Sequence, residues 1–238
     1  MTVNRKLELD PRAEVVIIGG GVIGLTIARA LARRGVREVT VIEKNEFGRE
    51  ASWAAGGILA PQVEADQADD FFRLACASRD MYLQFANDLM AESDMDVELD
   101  TTGTLYVGFT DKDEAELRRR FEWQRAEGLR VEWLSGDEAR QLESCLSDKV
   151  GCALRFPDDY QVENRKLLAA LLTANERVGV RLIRNCEARV LRIDGSKVAG
   201  LETSQGFIDT GTVVIAAGAW SSLIVFPLLA TVVLHQSV

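Results

Sequence analysis

Histidine is nearly absent: of 238 residues only His235 is one. A Ser-His-Asp triad, an HExxH zinc site or a histidine-rich metal cluster would have to be built around that residue or without it, so no metal site is expected. Cysteine is sparse and scattered. Cys76, Cys145, Cys152 and Cys186 form no CxxC pair, which is neither a zinc pattern nor a disulfide framework, and reduced thiols in a cytoplasmic protein fit best. Positive charge is in deficit: Lys plus Arg number 28 against 37 Asp plus Glu, a net −9, with no dense basic run. That balance argues against a nucleic-acid partner and against a cationic membrane-surface protein. Met1 to Asp10 is polar, so no signal peptide is expected. Long apolar runs are missing except for Val213 to Leu234, which is uncharged and long enough for a span of about 20 residues. Gly218, Trp220-Ser221-Ser222 and Pro227 interrupt it, and it opens on Val213-Val214-Ile215. It reads as a buried strand followed by an atypical tail rather than a membrane span.

What is present suits a globular chain, with 47% hydrophobic and 27% charged residues. Glu14 to Ile18 is a β-branched run that reads as a strand buried on both faces. Leu25 to Arg34 has helical spacing and ends at Gly35, a C-cap, and Val39 to Ile42 is a second buried strand; the three make a βαβ unit. Asp70 to Met90 reads as one long helix with Phe71, Leu74, Met81, Phe85 and Leu89 on a single apolar stripe. Further along, Thr104 to Phe109 and Val131 to Leu134 read as strands, and Asp111 to Gly128 as a charged amphipathic helix. Ser135 with Glu138 is a capping box opening another helix. A helix is expected over Asn164 to Val178 and a strand over Val180 to Ile183. Arg189 to Ile193, Val198 to Thr203 and Phe207 to Asp209 form an antiparallel meander turning at Gly195 and Gly206, before a buried strand at Val213 to Ala216.

The chemistry gathers at Gly19-Gly20-Gly21-Val22-Ile23-Gly24. Gly19, Gly21 and Gly24 match GxGxxG, directly between a strand and a helix. The first glycine permits a tight turn, the second lets a pyrophosphate approach the backbone, and the third lets helix and strand pack closely. The helix N-terminus offers free N–H groups and a positive dipole end. Glu43 ends the next strand about 20 residues beyond Gly24, where a carboxylate accepts ribose hydroxyls and repels a 2′-phosphate. These residues define an ADP-containing dinucleotide and leave FAD and NAD both open. Ala51 to Pro61, small and glycine-rich, suits close approach to a flat ring and tips the reading to FAD.

Gly19 to Gly24, Glu43, Ala51-Ser52-Trp53-Ala54-Ala55-Gly56-Gly57-Ile58-Leu59 and Val214 to Ser221 together resemble the D-amino-acid oxidase-like FAD-dependent oxidoreductases. Within that family they are most similar to the glycine oxidases of thiamine biosynthesis. Phe156 to Asn164 resembles the stretch where the family's chain leaves its substrate domain. The resemblance implies an α/β fold: a discontinuous Rossmann-type FAD-binding domain over residues 1–75 and 155–222, and a partial antiparallel substrate domain over 76–154. It implies that Val22 and Ile23 lie on the pyrophosphate turn, that Glu43 holds the adenosine ribose with Lys44 beside it, and that Ala51 and Ser52 meet the phosphate–ribityl region. Gly56, Gly57 and Ile58 would approach the isoalloxazine ring, Val190 would meet the adenine through its backbone, and Ala217-Gly218 would be a second glycine turn beneath the cofactor. Trp53 stands where that loop usually carries a smaller residue.

The implied reaction is oxidative deamination of glycine or another small amino acid or amine, with oxygen as acceptor; no catalytic acid or base is visible or required. The family pattern stops at Ser222. The tail 223–238 matches nothing in it, and the half that would supply a carboxylate-clamping arginine is not in this sequence. A truncated chain that does not turn over substrate is therefore expected, with uncovered apolar faces that favour self-association into a homo-oligomer. A non-catalytic dinucleotide-binding fragment, a NAD-dependent dehydrogenase and a membrane-attached FAD-dependent dehydrogenase are the alternatives.

Overall fold

The computed structural model describes residues 12–224. His235 and most of the uncharged tail lie outside them, as does the polar start of the chain. In order, the elements are β1 (Val15–Ile18), α1 (Val22–Arg33), β2 (Val39–Ile42), α2 (Ala51–Ala54), β3 (Ile58–Leu59), α3 (Pro61–Glu64), α4 (Asp70–Asp80), α5 (Tyr82–Ser93) and β4 (Thr104–Gly108). There follow α6 (Asp111–Ala126), β5 (Glu132–Ser135), α7 (Gly136–Leu142), β6 (Cys152–Phe156), β7 (Tyr160–Gln161), α8 (Asn164–Arg177), β8 (Arg181–Ile183), β9 (Ala188–Asp194), β10 (Lys197–Thr203), β11 (Gly206–Ile208) and β12 (Val213–Ile215). A 3-10 turn at Gly218–Leu223 closes the described chain.

The chain divides into two compact units. Among the described residues the first holds 12–55, 89–95 and 164–224, and the second 56–88 and 96–163. The sequence reading places the switches at 75/76 and 154/155.

The first unit is built on a parallel sheet in the order β12-β1-β2-β8. β1 and β2 are buried throughout, as strands covered on both faces must be. Side chains alternate across the sheet. Val15, Ile17, Val39 and Val41 pack with Ala28 of α1 on one face. Val16, Ile18 and Ile42 pack on the other with Leu191, Leu201 and Ile208 of the antiparallel meander β9-β10-β11. α8 lies along α1, where the buried Asn175 donates to the carbonyls of Leu25 and Leu171 at 2.9 and 2.8 Å. The segment Leu89–Met95 belongs here because Glu92 takes a fork of two bonds, 2.5 and 2.8 Å, from the buried Arg29.

The second unit has an antiparallel sheet β4-β6-β5 and a two-stranded ladder β3-β7. Leu117 of α6 packs on Cys152, Leu154 and Phe156 of β6. Capping boxes open α6 (Thr110 with Asp113) and α7 (Ser135 with Glu138), the second as its sequence pattern requires.

Two expectations are corrected. The helix over Asp70 to Met90 is two helices, divided at Met81, whose N–H turns back to the carbonyl of Ser78 in a tightened last turn. Nor is there one apolar stripe: Phe71, Leu74 and Met81 are exposed, while Phe72 and Arg79 face inward. The buried face is set by Arg79, which is held among polar partners and turns α4 away from the apolar pattern. The central strand β6 was also unforeseen. Its apolar run, bounded by Gly151 and Pro157, carries the signal of a short buried strand.

All four cysteines are free thiols. Cys152 and Cys186 are buried and Cys145 is exposed. Among the described residues no group of three or more His, Cys, Asp or Glu could hold a metal ion, and no helix is long and apolar enough to cross a membrane.

Candidate dinucleotide-binding site

The glycine loop joins β1 to α1 in the first unit, and each of its glycines meets a different demand. Gly19 has φ +109, and a Cβ there would lie 2.3 Å from the carbonyl oxygen of Ala216. A Cβ at Gly24 would lie 2.0 Å from the carbonyl oxygen of Gly19, so α1 reaches β1 only through a glycine. At Gly20 a Cβ would lie 2.2 Å from the ring of Phe47. The protein's own packing thus accounts for three of the four. Gly21 is different. Its backbone is extended, with φ −79 and ψ −177, and a Cβ would meet only the Ser52 hydroxyl at 3.1 Å. Neither strain nor packing asks for glycine at this position, the N-cap of α1. Close approach of a phosphate to the first amides of the helix does, and on that observation these residues fit a dinucleotide.

Glu43 stands beside this loop. Its Oε2 accepts the Gly20 N–H at 2.9 Å and its Oε1 accepts the Asn45 N–H at 3.0 Å. A carboxylate has about four acceptor positions, so a fixed, half-buried Glu43 keeps two for a ribose diol. Lys44 turns aside to Glu187 at 2.9 Å, and this pairing holds the Glu187 carboxyl below its ordinary pKa. It tethers the loop to the stretch entering β9, where Val190 pairs with Glu202. Ala51 and Ser52 open α2, and the Val22 N–H donates to Ser52 Oγ at 3.1 Å. Ala217 and Gly218, the latter with φ +54, follow β12 next to Gly19.

The structure therefore brings Gly19, Gly21, Val22, Ile23, Gly24, Glu43, Lys44, Ala51, Ser52, Val190, Ala217 and Gly218 into one unit. Gly56, Gly57 and Ile58 belong to the other. There Gly57, at φ +71, has its carbonyl bound by the Val162 N–H at 2.9 Å. The exposed Ile58 lines a cleft of about 560 Å³ with Phe71, Phe72, Arg79 and Tyr82.

Several supporting residues escaped the sequence reading. Asn164 Nδ2 donates to the carbonyls of Ser52 and Trp53 at 2.7 and 3.1 Å, fixing α2. Phe47 seats the loop through Gly20, and the surplus glycine in Gly19-Gly20-Gly21 is the signal that points to such a contact. In the second unit a buried polar network surrounds Gln62. Asp159, fully buried, accepts the Gln62 and Val63 N–H groups at 3.3 Å each and faces Arg79 at 3.6 Å. Gln62 Nε2 donates to Gln124 at 2.9 Å.

Burial pushes the Asp159 carboxyl up to about 6, against the lowering pull of those N–H groups and of Arg79. Its folded-state pKa lies above the usual 3.8, so the folded chain binds this proton more tightly than the unfolded one. The contribution to stability is greatest below pH 4, declines as pH rises to 6, and then levels off. A shift of this size is worth about 3 kcal/mol at most. Asp159→Asn removes the titration, so its stability relative to the parent should improve by up to that amount between pH 4 and 7. Urea midpoints across this range check it, and parallel curves for the two proteins refute it.

A strand, a glycine turn opening a helix, and an acid ending the next parallel strand define a dinucleotide-binding unit. The chain belongs to the FAD dependent oxidoreductase family, whose pattern matches residues 14–237 and so runs past Ser222, where the sequence alone placed its end. It is 34% identical to the glycine oxidase of Pseudomonas aeruginosa, over 90% of this chain and 57% of that one. It is 33% identical to the bifunctional protein ThiO/ThiG of a Nostoc species, over 88% of this chain and 31% of that one. Among solved structures, the glycine oxidase of Geobacillus kaustophilus superposes with a TM-score of 0.85 at 34% identity, covering 89% of this chain and 57% of the other. The L-proline dehydrogenase of P. horikoshii superposes at 0.76 and 27% identity, covering 91% and 55%. The chain thus spans little more than half the length of the glycine oxidases it matches.

Proposed function

We propose that this chain is the FAD-holding portion of an oxidase of the glycine-oxidase type, acting on glycine or another small amino acid or amine with oxygen as final acceptor. Gly21 carries the reading, because a glycine that the fold does not need is one that a ligand needs. The backbone of Gly21, Val22 and Ile23, at the N-terminus of α1, holds the pyrophosphate, and Ser52 steadies the same amides. Glu43 receives the ribose hydroxyls with its carboxylate already oriented by Gly20 and Asn45. The backbone of Val190 meets the adenine, and Ala217-Gly218 passes beneath the cofactor. Ala51 serves the phosphate–ribityl region, and Gly56, Gly57 and Ile58 serve the ring. When bound, the flavin would supply the two-electron redox chemistry that converts an amine to an imine with oxygen as the final acceptor. The protein contributes binding and orientation; no side chain is assigned a proton-transfer role. Free thiols fit a reducing compartment such as the cytoplasm.

The purified chain should carry a yellow cofactor with flavin absorption. Glu43→Ala should weaken FAD binding by about 1–3 kcal/mol, the scale of hydrogen bonds to a charged group, or roughly 5- to 150-fold. A colourless protein that takes up NAD but not FAD overturns the reading. Unchanged FAD affinity in the variant removes Glu43 from the site. Peroxide release with glycine, sarcosine and D-alanine, from this chain and from one extended through the downstream reading frame, tests the substrate class, with turnover expected of the extended chain.

A further inference from the structure

Trp53 has no part in the dinucleotide site as drawn, yet it is held firmly. Asn164 binds its carbonyl, and two cations stack on its ring: the guanidinium carbon of Arg49 at 3.8 Å from the ring centre and that of Arg165 at 4.9 Å. With Phe47, Lys166 and Leu168 these residues line a cleft of about 370 Å³ in the first unit. Three of the residues lining it are cationic and none is acidic, in a chain whose net charge is −9. The Arg49 side chain has no hydrogen-bond or ion-pair partner among the described residues, so the stacked guanidinium keeps its edge donors available. Arg165 and Lys166 engage other groups as well.

We propose that this cleft is a second anion site, for a phosphate monoester with a compact apolar body. The open fork of Arg49, in the positive field of Arg165 and Lys166, suits the doubly charged, three-oxygen head of a phosphate better than a singly charged carboxylate. Phe47 and Leu168 give the organic part an apolar wall, and the volume is in the range of small-ligand sites. The site is separate from the glycine loop. Phe47 packs against Gly20 on one side and forms a wall of the cleft on the other, so the cleft backs onto the loop instead of opening at Gly21.

The test is calorimetric titration of the full chain with phenyl phosphate, with benzoate as the carboxylate control, run with excess FAD and again in Gly21→Val, where the loop is blocked. Phenyl phosphate should bind in both settings, at least tenfold tighter than benzoate, and weaken as salt rises. Arg49→Gln and Trp53→Ala should each lower its affinity about tenfold, while Trp53→Phe, which keeps an aromatic face, should retain most of it. FAD uptake by Arg49→Gln should match the parent. Absence of binding, parent-like affinity in Arg49→Gln, or benzoate binding equally well overturns the proposal. So does loss of phenyl phosphate binding in Gly21→Val or on addition of FAD, which would assign the binding to the glycine loop.

Discussion

Gly21→Val should abolish FAD retention while leaving the cofactor-free chain folded and within about 1 kcal/mol of the parent, the scale on which valine is a poorer N-cap than glycine. The valine methyls would stand at the N-terminus of α1, in the position a pyrophosphate takes. Two or more bonds to a charged group would be lost, about 3 kcal/mol or more, so binding should fall by over 100-fold. Stability should hold, because φ −79 is ordinary for valine and the single close neighbour, Ser52 Oγ at 3.1 Å from a Cβ, ends a short rotatable side chain. Fluorescence titration with FAD and a urea midpoint of the cofactor-free chain give the two readouts. Parent-like FAD affinity would mean the phosphates sit elsewhere.

Gly24→Ala should show the opposite profile. Its Cβ would fall 2.0 Å from the carbonyl oxygen of Gly19, and backbone cannot step aside as a side chain can. α1 would have to lift from β1, loosening Leu25 and Ala28, both fully buried, from the sheet. Overpacking of this kind costs about 3 kcal/mol. The urea midpoint should therefore drop sharply even without cofactor, with weaker FAD binding as a secondary effect. A midpoint equal to the parent's would show that the helix–strand contact is softer than its geometry indicates.

The contrast between these two glycines marks what the sequence can say. GxGxxG between a strand and a helix, with Glu43 at the end of the next strand, is a local pattern, and the βαβ unit and the meander β9-β10-β11 were legible for the same reason. Each depends on periodicity and turn residues over a few tens of positions. The pattern also named which glycines serve the fold, Gly19 and Gly24, and which the ligand, Gly21; what it could not name is the group each one meets, since Ala216, which closes on Gly19, follows almost 200 residues later. The inward face of α4 was hidden similarly. Arg79 donates two bonds to its neighbour Asp80, at 3.0 and 2.8 Å, but its burial is completed by Gln62 at 3.3 Å and by Asp159 at 3.6 Å, which lies 97 residues from Gln62 in sequence. No window of residues around Arg79 contains that information, so hydropathy assigned the buried face to Phe71 and Leu74 instead.

The pairing of β1 with β12 also sets a clock on folding. Val16 aligns with Val213, so one edge of β1 receives its neighbour only after almost 200 further residues have been made. At about 5–20 residues per second that is a wait of roughly 10–40 s during synthesis. Throughout it, a wholly apolar strand has an open row of backbone donors and acceptors on one side. Parallel pairings so distant in sequence close slowly, because the loop entropy must be met before any contact rewards it. The strand that seats the glycine loop therefore leaves the ribosome long before its β12 neighbour does, and the nascent chain is exposed to aggregation in that interval.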